Sequence, residues 1–255
     1  MLDYNHRPTC AERINAAIDE AIAVERAAIA PRTYLGGSRL GHGCERALQF
    51  EFAGAPKDEG QEFSGHILRI FEIGHALEDL AIRWLRAAGF DLYTRKGNRP
   101  DGQQFGFSVA GGRIRGHVDG IIAAAPQQLG IGVPALWECK TMNARNWRET
   151  VAKGVVVAKP VYASQIALYQ AYMEAQVPGI SDNPALFTAI NKDTAELHHE
   201  LVPFDAGLAQ RMSDRAVRIL QATDVGDLLP RIATTRDFHE CRMCPWADRC
   251  WGLAA

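Results

Sequence analysis

Two short apolar segments, separated by a reversal, constrain this chain more than anything else in it. They read Ile114-Arg115-Gly116-His117-Val118-Asp119-Gly120-Ile121-Ile122 and Ala135-Leu136-Trp137-Glu138-Cys139-Lys140-Thr141. β-Branched and apolar residues fill both, and Gly/Pro-rich stretches bound them, which predicts strands. Side chains alternate along a strand, so Glu138 and Lys140 point one way while Trp137 and Cys139 point the other. Pro126, Gly130, Gly132 and Pro134 lie between the segments and suit a turn joining antiparallel neighbours. Pairing then brings Asp119 beside Glu138 and Lys140, with Arg115 and His117 on the same side of the first strand. Two carboxylates plus water suit a hard divalent cation, Mg²⁺ or Mn²⁺. A cation held there can activate water against a phosphodiester. Taken by itself, D-(x18)-E-x-K is also the spacing of a solvent-facing cross-strand ion pair.

The rest of the chain reads as a mixed α/β core with helices on either side. Residues 10 to 30 predict a helix, with Ile14, Ile18, Ala21, Ile22 and Ile29 as an apolar stripe that Pro31 ends. Residues 38–48 read as a turn entering a short helix, and residues 53–62 as an exposed loop. A long helix follows from Ser64 to Ala88, with Ile67, Phe71, Leu77, Ala81, Trp84 and Leu85 near helical spacing and Gly89 as its stop. His75 and Glu78, three apart, share a face of it. A helix over 161–175 puts Gln165 and Tyr169 four apart on one face, although Tyr162, Leu168 and Tyr172 on that helix equally suit Tyr169 to core packing. Strands are expected over 185–191 and 197–204, and a last helix over 206–223.

Near the C-terminus Cys241-x2-Cys244-x5-Cys250 forms a compact triad. In a reducing compartment clustered cysteines more often bind metal than form disulfides. Three thiolates need a fourth ligand. His239, two residues before Cys241, keeps a Cys₃His Zn²⁺ site open beside a four-thiolate one. Cys10 is unassigned, and Cys139 reads as a buried strand residue. The formal charge of -2, from 28 basic and 30 acidic residues, gives no global nucleic-acid signature, so any such contact must come from a local groove. A phosphate-cradling G-x4-G-K-[ST] loop is missing, which removes an ATP-driven motor from the candidate functions.

In order and spacing, Asp119 and Glu138-Cys139-Lys140 resemble the PD-(D/E)XK nuclease superfamily. Gly74-His75-Ala76-Leu77-Glu78 upstream, Gln165-Ile166-Ala167-Leu168-Tyr169 downstream and the cysteine set resemble its RecB-like branch. That branch includes the iron–sulfur exonucleases of CRISPR adaptation and their phage relatives. The resemblance spans residues 44 to 250. It implies a restriction-endonuclease-like core, a central mixed β-sheet flanked by helices, over residues 63–204. An N-terminal helical segment, 1–62, and a C-terminal helix and cysteine segment, 205–255, would be joined by an iron–sulfur cluster. It further implies that His75, Asp119, Glu138 and the Cys139 carbonyl hold Mn²⁺ or Mg²⁺, imidazole shifting preference toward Mn²⁺. Lys140 would orient or help deprotonate the attacking water, and Gln165 and Tyr169 would sit beside the reacting groups. Cys44, in Gly43-Cys44-Glu45-Arg46, becomes the fourth ligand of a [4Fe–4S] cluster with Cys241, Cys244 and Cys250, and the cluster would staple the chain's two ends.

The expected activity is a metal-dependent DNA exonuclease acting on single-stranded ends, in recombination, repair or CRISPR and phage DNA processing, with a recombination or CRISPR-adaptation protein as the expected kind of partner. Two other readings fit the same motifs: a non-catalytic iron–sulfur DNA-binding adaptor, and a restriction-type endonuclease. Retention of both carboxylates argues against the first, and the cysteines with Gln165 and Tyr169 against the second. No apolar run approaches a membrane span and the N-terminus lacks a basic-then-apolar leader. The reading is therefore cytoplasmic, in a bacterium or in the host of a phage, and the oligomeric state is left open.

Overall fold

The computed structural model describes residues 7–99 and 101–253. The ends of the two expected terminal segments, residues 1–6 and 254–255, lie outside the described residues, and so does the extreme N-terminus just read for a leader.

Local chemistry sets the helix boundaries. Thr9 and Glu12 close a capping box at the start of α1 (Cys10–Ala27). Helix α2 (Glu45–Phe52) begins directly after Cys44. Ser64 Oγ accepts from the Ile67 amide at the head of α3 (Gly65–Ala87), and Gly89, at φ 93°, closes its other end. Asn143 caps α4 (Ala144–Lys153) by accepting from the Asn146 amide, and Gly154, at φ 75°, turns the chain into the short α5 (Val155–Ala158). Pro160 opens α6 (Pro160–Met173) at a position that needs no amide partner. Asp205 caps α7 (Ala206–Val225), and the last turns are α8 (His239–Arg242) and α9 (Ala247–Gly252).

The strands form two sheets. In chain order they are β1 (Leu35–Gly36), β2 (Asp91–Tyr93), β3 (Gly106–Val109), β4 (Ile114–His117), β5 (Gly120–Ala124), β6 (Ala135–Met142), β7 (Ala185–Asn191) and β8 (Leu197–Val202). The main sheet has the order β2-β5-β6-β7-β8, with β6 and β7 parallel and every other pair antiparallel. A smaller sheet, β1-β4-β3, stands beside it. The architecture is the expected mixed α/β one, a mixed sheet flanked by helices.

One expectation about the strands is corrected. The segment 114–122 is not a single strand: it breaks at Val118-Asp119, its first half pairing with β1 and β3 and its second with β2 and β6. The Val118 amide donates to the Phe105 carbonyl at 3.0 Å, which fixes the break. Asp119 thus sits where the chain passes from one sheet to the other, not midway along an edge.

Side-chain alternation on β6 sorts the core into two layers. Trp137 and Cys139 pack with Ala81 and Leu85 of α3, whereas Leu136 and Met142 belong with Ile166, Leu168 and Met173 of α6 and Ala216 and Ile219 of α7. All seven residues of β7 are buried, because helices cover both of its faces. The Trp137 indole N–H donates to Thr188 Oγ1 at 2.9 Å, so the largest buried side chain leaves no orphaned donor.

Two helix faces differ from their sequence reading. The α1 stripe reaches no core: no α1 residue is buried, Ile14 is 54% and Ile18 43% exposed, and Ile29 lies past the helix end. On α3, Ala81 and Leu85 are buried as expected, but Phe71 and Trp84 face solvent. Phe71 packs edge-on against Phe63 instead, with ring centroids 5.2 Å apart.

Candidate active site

Asp119 and the Glu138-x-Lys140 pair meet at the end of the β5–β6 pairing. Asp119 Oδ2 accepts from the backbone N–H of Cys139 at 2.9 Å, tying the strand break to β6. Lys140 Nζ lies 3.6 Å from Asp119 Oδ2, is ion-paired with Glu138 Oε1, and donates to the Cys139 carbonyl at 3.1 Å. Helix α6 supplies Gln165, whose Nε2 donates to Glu138 Oε1 at 2.6 Å. Glu138 is fully buried, and its other oxygen, Oε2, has no hydrogen-bond partner among the described residues.

Electrostatics bring in a third acid. Burial pushes the Glu138 carboxyl up to about 8, and the neighbouring Asp119 charge adds to that. Burial likewise lifts Glu78, on α3, to about 7, with Asp119 next in effect. Burial opposes charge on Lys140, but Glu138 and Asp119 outweigh it and hold the ammonium well above its usual range. The Asp119 charge therefore makes both Glu78 and Glu138 harder to ionise, Glu78 adds to the effect on Glu138, and Lys140 is the cation that counters it. A cluster of repelling oxygen donors, one of them buried without a partner, is chemically suited to a hard divalent cation. As the side chains are placed, no group of three or more His, Cys, Asp or Glu among the described residues stands close enough to enclose a metal ion.

The expected site residues fall out unequally. Asp119, Glu138, Lys140 and Gln165 are brought together. His75 is exposed and its side chain, among the described residues, makes no hydrogen bond or ion pair; Glu78, one turn further along α3, is the residue that feels the Asp119 carboxylate. The signal for Glu78 was its shared helix face with His75. Cys139 is buried on the opposite side of β6 as expected, its thiol pushed up by burial, while its carbonyl turns toward Lys140. Tyr169 lies in the core beneath the site. Its ring meets Phe107 edge-on at 5.2 Å and fills the space that Gly37 and Gly116 leave open, where a Cβ would come within 2.8 and 2.9 Å of it. Burial and the Glu138 charge push its phenol up, and its hydroxyl bonds to Ser38. Among the described residues Arg115 pairs with no acid: it donates to the Gly112 carbonyl and lies 5.1 Å from the Tyr34 ring centre.

Burial raises the thiols of Cys241 and Cys244, and the charges of Cys44 and Cys250 add to each. Cys44, Cys244 and Cys250 pack around Ala47, Phe50 and Trp246. Buried Arg46 reaches from α2 to Cys250 Sγ at 3.8 Å and donates to the Leu229 carbonyl. Cys10 is exposed and elsewhere, and His239 is exposed, with its ring against Phe238.

A mixed sheet between helices, with a carboxylate at a strand break beside a strand-borne Glu-x-Lys, defines an α/β protein whose polar chemistry is concentrated at one end of its sheet. The family model of the PD-(D/E)XK nuclease superfamily matches residues 20–251, and the chain belongs to that superfamily. Its members generally use divalent metals such as Mg²⁺ or Mn²⁺. No curated protein matches the sequence significantly. Among solved structures, an alkaline exonuclease (LHK-Exo) from Laribacter hongkongensis is 14% identical, with 77% of this chain and 90% of that chain covered and a TM-score of 0.49. Its complex with dAMP gives 16% identity, coverage of 76% and 89%, and a TM-score of 0.49. The structure of SSO0001 gives 15% identity, coverage of 95% and 98%, and a TM-score of 0.49.

Proposed function

We propose that the chain is a metal-dependent deoxyribonuclease, an exonuclease that hydrolyses phosphodiester bonds at DNA ends, single-stranded ends first. The observation that carries this reading is Glu138: a buried carboxylate with one oxygen fixed by Gln165, the other unpartnered, and Asp119 and Lys140 alongside. Asp119 and Glu138 would hold Mg²⁺ or Mn²⁺ with the Cys139 carbonyl, His75 would add a nitrogen ligand, and Glu78 of α3 would lie beside them. When bound, the cation supplies positive charge against an anionic phosphodiester and lowers the pKa of water. Lys140, kept charged by its neighbours, would orient the attacking water and stabilise charge developing on the phosphoryl oxygens. Gln165 would keep the Glu138 carboxylate in one rotamer.

Cys44, Cys241, Cys244 and Cys250 would hold a [4Fe–4S] cluster, which takes four thiolate ligands. His239 is exposed with its ring against Phe238, which favours four sulfur ligands over a Cys₃His zinc site. Such a cluster would join the 1–62 segment to the 205–255 segment across the 63–204 core. Hydrogen bonds between the two segments support that division: Gln49 of α2 donates to the Asp227 carbonyl at 2.5 Å and accepts from the Leu229 amide at 2.9 Å. Among the described residues no helix is long and apolar enough to cross a membrane.

The experiment is digestion of end-labelled linear single-stranded DNA with Mn²⁺, Mg²⁺ or EDTA, using wild type beside Lys140→Ala. Metal-dependent shortening that the variant lacks is the expected result. A folded wild type that leaves DNA intact under every condition would transfer the assignment to a non-catalytic DNA-binding protein.

A further inference from the structure

Past the carboxylates, the second half of α3 and the loop after β2 enclose a cleft of about 380 Å³. Arg83 and Arg86 line it from α3, Arg95 and Arg99 from the loop, together with Asn98 and one acid, Asp79. Four guanidinium groups against one carboxylate leave a formal surplus of three positive charges. The chain as a whole carries -2, so this cleft runs against the protein's overall field. Two of the arginines are fixed: Arg86 donates to the Leu92 carbonyl and to Asn98 Oδ1, both at 2.8 Å, and Arg95 to the Gly102 carbonyl at 3.0 Å. The loop turns through Gly97 and Asn98, both at positive φ, which aims Arg95 and Arg99 back at the helix. The side chains of Arg83 and Arg99 make no hydrogen bond or ion pair among the described residues. The helix connects the cleft to the candidate site, since Arg83 lies five residues beyond Glu78, about 7.5 Å along the axis.

We propose that this cleft binds successive backbone phosphates of the DNA strand whose scissile bond lies at Asp119 and Glu138; the inference rests on the nuclease reading and gives it a substrate track. Planar guanidinium forks suit phosphate oxygens, and their anchoring on backbone carbonyls removes part of the entropy of ordering them. The charge surplus favours several diesters over one terminal phosphate, because a monoester carries at most about two negative charges.

The test measures the affinity of a single-stranded oligonucleotide for the full chain in EDTA at several salt concentrations, wild type against Arg83→Ala/Arg99→Ala. Each phosphate left without its arginine flattens the plot of log K against log salt by about 0.7, so the double variant should lose about 1.4 from the slope and keep its thermal midpoint. An unchanged slope overturns the cleft assignment. Strands with 5′-phosphate and 5′-hydroxyl ends should lose affinity equally; a loss confined to the phosphorylated strand gives the cleft to a terminal phosphate and overturns the backbone track. A wild type that cuts DNA while the variant keeps the same slope removes this inference alone. A wild type that neither binds nor cuts any DNA removes the nuclease reading with it.

Discussion

Gln165 Nε2 donates to Glu138 Oε1 at 2.6 Å, joining α6 to the central strand of the site across the α6 face of the sheet. The bond fixes one oxygen of a fully buried carboxylate and leaves the other free. Glu138 therefore takes its direction from Gln165 together with Lys140, which pairs with the same oxygen.

Replacing Gln165 by Leu should consequently act on metal use before it acts on the fold. Partners behind a metal ligand typically change affinity 10- to 100-fold, roughly the expected rise in half-saturating Mn²⁺. Loss of a hydrogen bond to a buried charged group destabilises by about 1–3 kcal/mol, so the melting midpoint should fall as well. A Mn²⁺ titration of hydrolysis beside a thermal melt in EDTA separates the two effects. An unaltered Mn²⁺ requirement would remove Gln165 from the site.

Tyr169 tests the other half of the same motif. Tyr169→Phe removes only the hydroxyl and its bond to Ser38, so hydrolysis should stay within a few-fold of wild type and stability should drop by about 0.5–1.5 kcal/mol. Gly116→Ala should do more harm from further away, because its Cβ would come within 2.5 Å of Phe107 and 2.9 Å of Tyr169. Overpacking of that kind costs about 1–3 kcal/mol. Chemical denaturation of both variants decides the matter; a Tyr169→Phe protein that is stable but inactive would give the phenol a direct part in the reaction.

Acid stability should depend on a residue far from the site. Glu174, just past α6, accepts from the Gly179 amide at 2.6 Å, the Ser181 amide at 3.0 Å and the Ser181 hydroxyl at 2.7 Å, and these bonds hold its carboxyl below the usual range. A carboxyl depressed by folding stabilises above its unfolded value of 4.5, and that contribution is lost as pH falls through the lower folded value. Glu174→Gln should melt lower than wild type at neutral pH and converge on it in acid. Melting curves that stay parallel across the acid range would contradict this.

How much of this was legible beforehand depended on distance along the chain. The α3 boundaries followed from Ser64 and Gly89, and the antiparallel β5–β6 pair from alternation and the turn between them, because each signal is local. The break at Val118-Asp119 was not visible, since it is imposed by strands of two to four residues, too short to show a period, that arrive from elsewhere. Helix α4 was missed although Asn143 and Gly154 mark both its ends. Cys44 was placed with the C-terminal cysteines only through the family resemblance. The arginine cleft was invisible because a helix and a loop each contribute half of it.

The pairing of His75 with Glu78 yields the sharpest prediction about the site itself. Both lie on one face of α3, yet only Glu78 is electrostatically joined to Asp119 and Glu138, while His75 is exposed. Glu78→Gln removes a like charge from the cluster without changing side-chain volume. Metal-free protein should therefore melt higher at pH 8, where the wild-type carboxyl, raised to about 7, is ionised, and melt unchanged near its unfolded value of 4.5. Hydrolysis should fall in the same variant, because the repulsion it relieves is what a divalent cation would neutralise. His75→Ala should leave the metal-free melt unaltered at both pH values, its side chain having no hydrogen-bond or ion-pair partner among the described residues. If His75 is a ligand, its removal still lowers activity and shifts preference from Mn²⁺ toward Mg²⁺, since an imidazole donor is lost. If it is not, the Mn²⁺ to Mg²⁺ activity ratio stays at the wild-type value and Glu78 is the acid through which α3 serves the site.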